Sequence, residues 1–575
     1  MSRPMAGGHL RIAVYIGGTF TDLTAFDSVN GSVELGKALS TPSNLTEGIM
    51  AAMAKTGVSP AEAGLVIHGS TVVINAILQR QGARTALVTT KGFRDVYEIG
   101  RINRPESFNL FFRKHRPLVP RELIFEVPER MLADGIEERA LDEAAAREVA
   151  HKIDELGIEA VGIIFLHSYF APEHEIRMRD ILLESNSNLF VTASHELSRE
   201  YREYERTSTT AANAYVGPIV SHYLADLEQR LDSDGFQGSL LIMQSSGGLY
   251  DVDTARRQCV QMMESGPAGG VVGTMAICDA LGLDAAISFD MGGTTAKACV
   301  IRRGSPDLSP DYFVGGYNEG LAIRIPVLDI KEVGTGGGSI AHIDQGGALH
   351  VGPESAGAEP GPVCYSRGGT EPTITDADVA LGRISPEQFL GGEMRLDFDA
   401  AVRAIRGKVA EPLGLSLERA ADGMLAIGIA SMANAVRAVT TERGLDPRDF
   451  TLVAYGGGGP PHAVAVAREL AIRRVIIPQA PAHFSAFGML LADLRRDYVL
   501  THFTKLADLD MAELEGLYQG LEQQGLQALT EAGIKPEQSV FERAADMRYV
   551  GQEHSVAINV PGKVDAEEVR EQIKK

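Results

Sequence analysis

The chain has 575 residues, 44% of them apolar, and a formal net charge of −22. That length suggests about three or four compact units, each with the apolar content a core needs. The acid excess sets the average surface against nucleic-acid phosphates and anionic membranes, so neither is an expected partner. Four cysteines (Cys259, Cys278, Cys299 and Cys364) form no Cys-x-x-Cys pair and read as buried thiols of a reducing compartment. The first ten residues contain no apolar signal segment, and no run reaches the ~18 uninterrupted apolar residues of a membrane helix. A cytoplasmic protein is expected.

In chain order, residues 12–26 (IAVYIGGTFTDLTAF) read as two strands joined at Gly-Gly-Thr, followed by a helix near 46–55. The segment 65–82 (LVIHGSTVVINAILQRQG) is a strand that breaks at His68 and opens a helix. A strand at 85–90 precedes 92–117 (GFRDVYEIGRINRPESFNLFFRKHRP), a basic and aromatic run of little periodicity that suits a lid or binding loop. A charge-patterned helix is expected at 137–156 and an apolar strand at 159–166. The alternation predicts a mixed α/β sheet covered on both faces.

From 201 to 230 the pattern is helical with an interruption near Gly217-Pro218, and 239–243 is a strand. The boundary between two halves is placed near residue 205. Glycine and proline accumulate at 334–347 and 352–369, where regular structure is not expected and close backbone approach to a ligand is. A helix-rich stretch (417–442) leads to a buried strand (450–455), the run Gly456, Gly457, Gly458 and Gly459, and a helix over 462–470. A charged helix from about 508 and a strand near 555–560 read as the start of a further domain, cut off early. The expected units are 1–205, 206–505 and 506–575.

The first hairpin's turn recurs 275 residues later in 286–301 (AISFDMGGTTAKACVI). Two strand-turn-strand elements with Gly17, Gly18, Thr19 and Thr21 in one, and Gly292, Gly293, Thr294 and Thr295 in the other, suit a nucleotide's phosphates held from both sides. Glycine exposes bare backbone N–H groups and threonine adds a hydroxyl donor. A dinucleotide fold sends its glycine loop into a helix and a P-loop ends in Gly-Lys-Ser/Thr, and neither pattern matches strand followed by strand. The third glycine run, 456–459, precedes a helix and is placed to lie against a nucleoside.

Asp290 ends its strand just before the second turn, where a carboxylate can hold Mg2+ near phosphates. The matching position in the first copy is Tyr15, which is no anionic ligand at neutral pH, and Asp22 is the available substitute. His68 stands at a strand end, where titratable groups often face a cleft. Arg101 and Arg104 offer bidentate donation to an anionic intermediate. Glu354, Glu359, Asp376 and Asp378 crowd the second glycine- and proline-rich region, with capping of a helix near Thr375 accounting for the last two. The absence of a Gly-x-Ser-x-Gly elbow and of His-Glu-x-x-His weighs against an unaided hydrolase.

These segments resemble the hydantoinase A and 5-oxoprolinase family, which includes acetone and acetophenone carboxylase subunits and caprolactamase. The matching stretches include GGTFTDLTAFD, HGSTVVINAILQRQG, MESGPAGGVVG, FDMGGTTAK, GTGGGSIA, GPESAGAEPGPVCYSRGG, AYGGGGPPHA and FSAFGMLLADLRRDYV, spanning about residues 11 to 500. The resemblance implies an α/β fold of two actin-like ATPase halves around ATP. It also implies phosphorylation of a weakly electrophilic carbonyl's oxygen; the candidate catalytic residues, read from the sequence itself, are His68, Arg101 and Asp290. ATP and Mg2+ are then the expected cofactors, and a second, hydantoinase B-like subunit in a hetero-oligomer is the expected partner. Two departures from the family pattern are Tyr15 in place of aspartate and the early end of the last domain. The expected reaction is ring-opening hydrolysis of a cyclic amide (hydantoin, 5-oxoproline or lactam). The alternatives are a ketone carboxylase subunit and a non-catalytic scaffold.

Overall fold

The computed structural model describes residues 8–18, 20–41, 44–101, 105–309, 312–316 and 320–562. Two of its sheets share one plan. In the first, the strand order is Val33–Leu39, Phe20–Asp27, Leu10–Ile16, Ala63–Ser70, Ser239–Met243 and Leu249–Asp251. The first three strands are antiparallel, and Ala63–Ser70 and Ser239–Met243 continue parallel. The second sheet runs Lys331–Val333, Ala296–Arg302, Ala285–Met291, Thr451–Tyr455 and Arg474–Ile476, again three antiparallel strands followed by parallel ones. The strands buried on both faces are the near-continuous apolar runs; Ala63–Ser70 is buried at all eight positions.

A glycine-rich helix, Ser265–Leu281, lies between the sheets. A side chain on Gly266 would overlap the Tyr15 ring of the first sheet, and one on Gly270 would overlap Tyr455 of the second. On another face, Gly269 and Gly273 admit the helix Phe484–Met489, whose own Gly488 touches the Gly269 backbone. One core cluster therefore holds Ala13 and Ile67 from the first sheet, Ile301 and Val453 from the second, and Ala268 and Phe484 between them. Each fully buried aliphatic or aromatic side chain there contributes about 1.5–3 kcal/mol.

The first half also contains a four-stranded parallel sheet, ordered Phe190–Ala193, Ala160–Ile164, Thr85–Thr90 and Ile124–Val127, with its own core. The helix expected over 137–156 is shorter: 137–139 is a strand, and the helix Glu143–Glu155 starts where the Asp142 side chain accepts from the Ala145 N–H.

The helix Glu203–Ser233 runs unbroken through Pro218, contrary to the expected interruption. Proline costs a helix about 3 kcal/mol, and here burial of nineteen of its residues offsets the missing bond. The boundary set at 205 falls within this helix, and the strands at 239–251 return to the first sheet. The glycine-rich stretch after 334, expected to be irregular, forms an antiparallel hairpin of Ser339–Ile343 and Leu349–Ser355. The helix Leu417–Val439 belongs to a stretch long and apolar enough to cross a membrane, but half of that window is buried inside the protein. All four cysteines are buried and free, as expected.

Candidate functional site

The two hairpins match residue for residue at an offset of 275. Tyr15 pairs with Asp22 across the first, and Asp290 with Lys297 across the second. Each turn closes in the same way, Gly17 N–H to Phe20 O at 2.9 Å and Gly292 N–H to Thr295 O at 3.1 Å. The intervening amides of Gly18, Gly293 and Thr294 donate to nothing among the described residues. Gly18 and Gly292 have neither a positive φ nor any atom within 4 Å of where a Cβ would stand. Neither packing nor backbone conformation demands glycine at these two positions; its effect is to leave the turn backbone uncovered. Converging free N–H groups on bare backbone form a concavity for an anion.

Both turns are held from behind. The Ser40 hydroxyl donates to Gly17 O at 2.9 Å and lies 3.2 Å from the Thr21 hydroxyl. Gly337 N–H donates to Gly292 O at 3.1 Å and Gly338 N–H to Gly293 O at 2.7 Å. A Cβ on Gly336 would overlap the Gly293–Thr294 backbone. The glycine-rich loop after 334 thus approaches the second turn closely and ties down its carbonyls.

The flanking charges are inverted between the repeats. Asp22 is ion-paired with Lys37 on the next strand, whereas Lys297 lies 2.6 Å from Glu332 on its next strand and 3.2 Å from Glu264. Burial pushes the Asp290 carboxyl up to about 6; Lys297 opposes this, while Asp22 and Glu332 add to it. Burial works against the Lys297 charge, but Glu264 and Glu332 outweigh it and hold the ammonium well above its ordinary range. Burial, then Asp290, keeps the Tyr15 phenol neutral. No described side chain hydrogen-bonds to Asp290, and an anion short of compensation suits a cation. Mg2+ takes one or two carboxylates plus phosphates and water. Asp290 fits that role, with Asp22 beside it but occupied by Lys37. Among the described residues no group of three metal-ligating side chains forms.

The third glycine run packs onto this point. Gly456 has φ 81°, and a Cβ there would overlap an Asp290 carboxylate oxygen. Gly458 N–H donates to Met291 O at 2.8 Å, and Gly457 has no atom within 4 Å of a Cβ position. Pro460 and Pro461 follow Gly459 in the first turn of the helix Gly459–Glu469. His462 fixes the run, with Nδ1 2.8 Å from Gly458 O and Nε2 3.2 Å from Asp378. Asp376 completes a capping box with Thr373 as expected, but Asp378 serves His462 and is no cap.

Three expectations meet a different setting. His68 is 1% exposed, with Nδ1 3.2 Å from Val14 O and Nε2 2.7 Å from the Tyr223 hydroxyl; burial lowers its pKa to about 4. It is a neutral core histidine and does not face the cleft. Thr21 is fully buried and supports the first turn from beneath. Arg101 does donate in bidentate fashion, at 2.7 and 2.8 Å, but to Glu205. Thr19 and Arg104 lie outside the described residues. The sequence reading overlooked Lys37, Glu264, Lys297 and Glu332. The hairpin offset offered a signal, since Lys297 is the counterpart of Asp22.

Two sheets of equivalent topology, each carrying the same glycine turn at the same register, fit an actin-like ATPase-type fold. The sequence model of the Hydantoinase/oxoprolinase family matches residues 206–498, and that of its N-terminal region matches 11–185. The chain is 37% identical over 570 residues to caprolactamase subunit alpha of Pseudomonas jessenii, covering 97% of this chain and 81% of that one. The solved ATP-dependent caprolactamase of the same organism superposes with a TM-score of 0.84 at 35% identity, over 98% of this chain and 83% of that one. Nucleotide-free acetone carboxylase gives 0.81 at 29% identity, over 98% and 84%. The chain belongs to the hydantoinase/oxoprolinase family.

Proposed function

We propose that this chain is the ATP-using subunit of an enzyme that opens a cyclic amide of the hydantoin, 5-oxoproline or lactam kind. The observation that carries the reading is the pair of register-matched turns, Gly17 to Phe20 and Gly292 to Thr295, with free amides and with Asp290 on the strand leading into the second. An amide carbonyl is a weak electrophile. Attack of its oxygen on the γ-phosphorus, with loss of the ring N–H proton, gives an imidate phosphate and ADP. Water then adds to the carbon, the ring C–N bond breaks, and a second water hydrolyses the acyl phosphate to carboxylate and phosphate.

In this scheme the amides of Gly18, Gly293 and Thr294 bind phosphate oxygens. Asp290 holds Mg2+, which neutralises charge on the phosphates when bound. Gly456 to Gly459 lie against the nucleoside. Support for a partner comes from the caprolactamase relative, itself a subunit. A second reading, a ketone carboxylase subunit, draws on the likeness to acetone carboxylase.

Phosphate release with hydantoin, 5-oxoproline, caprolactam, acetone and acetophenone, each with and without bicarbonate and the partner subunit, separates the two. Bicarbonate-independent release driven by a cyclic amide is expected. Release that requires a ketone and bicarbonate would replace it with the second reading.

A further inference from the structure

A cavity of about 500 Å³ opens at the N-terminal end of the helix Glu203–Ser233 and shares no lining residue with the glycine turns. Its size falls among small-molecule pockets, roughly 300–1,000 Å³. Phe93, Val96 and Ile99 give it an apolar wall, and Arg101, Arg202 and Arg548 also line it. All three guanidinium groups gather about one residue, Glu553. Arg202 Nη1 is ion-paired with the Glu553 carboxylate and its Nη2 lies 2.9 Å from the Glu553 backbone oxygen. Arg101 Nη1 is 3.8 Å from the same carboxylate, and Arg548 reaches the Glu553 backbone oxygen at 3.5 Å.

The lining also carries the Glu203 carboxylate. Arg101 has Glu205 as its main partner, Arg202 has Glu553, and Arg548 makes no ion pair among the described residues. Arg202 and Arg548 both lie over the Tyr201 ring, at 5.1 and 5.5 Å from its centroid, and both reach the Glu553 backbone oxygen. The Arg202 backbone is held at φ 88°, ψ 103°, a conformation that costs a non-glycine residue about 1–3 kcal/mol and persists where position matters. Glu553, by contrast, has a side chain 62% exposed, in the connection between the strands Arg543–Met547 and Val556–Val560.

We propose that this cavity binds the carboxylate of a small organic acid with a short apolar body, and that the Glu553 side chain is an internal stand-in which such a ligand displaces. The arginines take the carboxylate by charge-assisted hydrogen bonds, and Phe93, Val96 and Ile99 cover the apolar body. The link to the reaction rests on the proposed function: ring opening converts a neutral amide into a carboxylate, as carboxylation converts a neutral ketone, so the site selects the product's charge over the substrate's.

The test is calorimetric titration of the full chain without nucleotide, using hexanoate and its neutral counterpart hexanamide. Hexanoate binding without hexanamide binding is expected. Glu553→Gln, an exposed change checked by thermal midpoint, should tighten hexanoate binding about tenfold by removing the internal competitor, and Arg548→Gln should weaken it about tenfold. Equal binding of the two probes, no binding at millimolar concentration, or unchanged affinity in Glu553→Gln would overturn the proposal. Because no ATP is present, failure here is independent of the phosphate-release result.

Discussion

Tyr15 and Asp290 hold the same register position in the two hairpins, and the carboxyl of Asp290 adds to burial in keeping the Tyr15 phenol protonated. Tyr15 also fills the space that Gly266 leaves open. Tyr15→Phe is therefore expected to keep thermal stability and ATP turnover within about threefold, since the lost hydroxyl is uncharged. Tyr15→Asp leaves a void and adds a carboxylate beside Asp290 and Glu264, and should destabilise by about 2–4 kcal/mol. Calorimetry and an ATPase assay on both variants check this. A gain of ATPase activity in Tyr15→Asp over an inactive parent would instead support the scaffold reading.

The Asp290 carboxyl, raised to about 6, gives a pH dependence of defined sign. The folded state holds this proton where the unfolded chain, with an ordinary carboxylate near 4, has released it. The contribution of Asp290 to stability thus falls as pH rises from about 4 through 6. Asp290→Asn should remove that decline from the thermal midpoint measured against pH. The same variant should lose about 100-fold or more in Mg2+-dependent ATP turnover.

His68 works in the opposite direction. Its folded pKa of about 4 lies below the ordinary histidine value, so the unfolded chain gains the proton first and the His68 contribution to stability is lost as pH falls from about 6.5 to 4. His68→Ala should cost about 2–4 kcal/mol, by cavity formation and by stranding the Tyr223 hydroxyl, while kcat per folded molecule stays within about threefold. Denaturant unfolding and active-site-normalised turnover read the two effects separately.

Gly336 and Gly456 are tied to the cleft by space. A methyl on Gly336 presses on the second turn, and one on Gly456 presses on Asp290 and also meets a φ of 81°. Either alanine substitution should weaken ATP binding at least about tenfold with a loss of about 1–3 kcal/mol in stability. Fluorescent-nucleotide titration beside thermal unfolding checks the pair of effects.

The sequence reading recovered the repeated hairpins because their signal is local: apolar strand, Gly-Gly-Thr, second strand. Tyr15 and Asp290 were paired by position alone, and the structure places them at the same register. His68 was misread because its helix-opening context looks the same whether the ring faces a cleft or Tyr223, 155 residues away. Thr21 carried the same ambiguity, since its hydroxyl meets Ser40, 19 residues away. Lys297, Glu264 and Glu332 come together through strand and helix neighbours remote in sequence, which no local pattern encodes. Pro218 stays within its helix because tertiary burial overrides the local preference.

The central claim is that bare backbone at both turns holds one triphosphate. Equilibrium titration of MgATP against Gly18→Ala and Gly292→Ala tests it most directly, because at both positions a methyl group meets no protein atom within 4 Å. The account predicts that each variant folds with the parental thermal midpoint and loses at least about tenfold in ATP affinity. Undiminished affinity in both would contradict it.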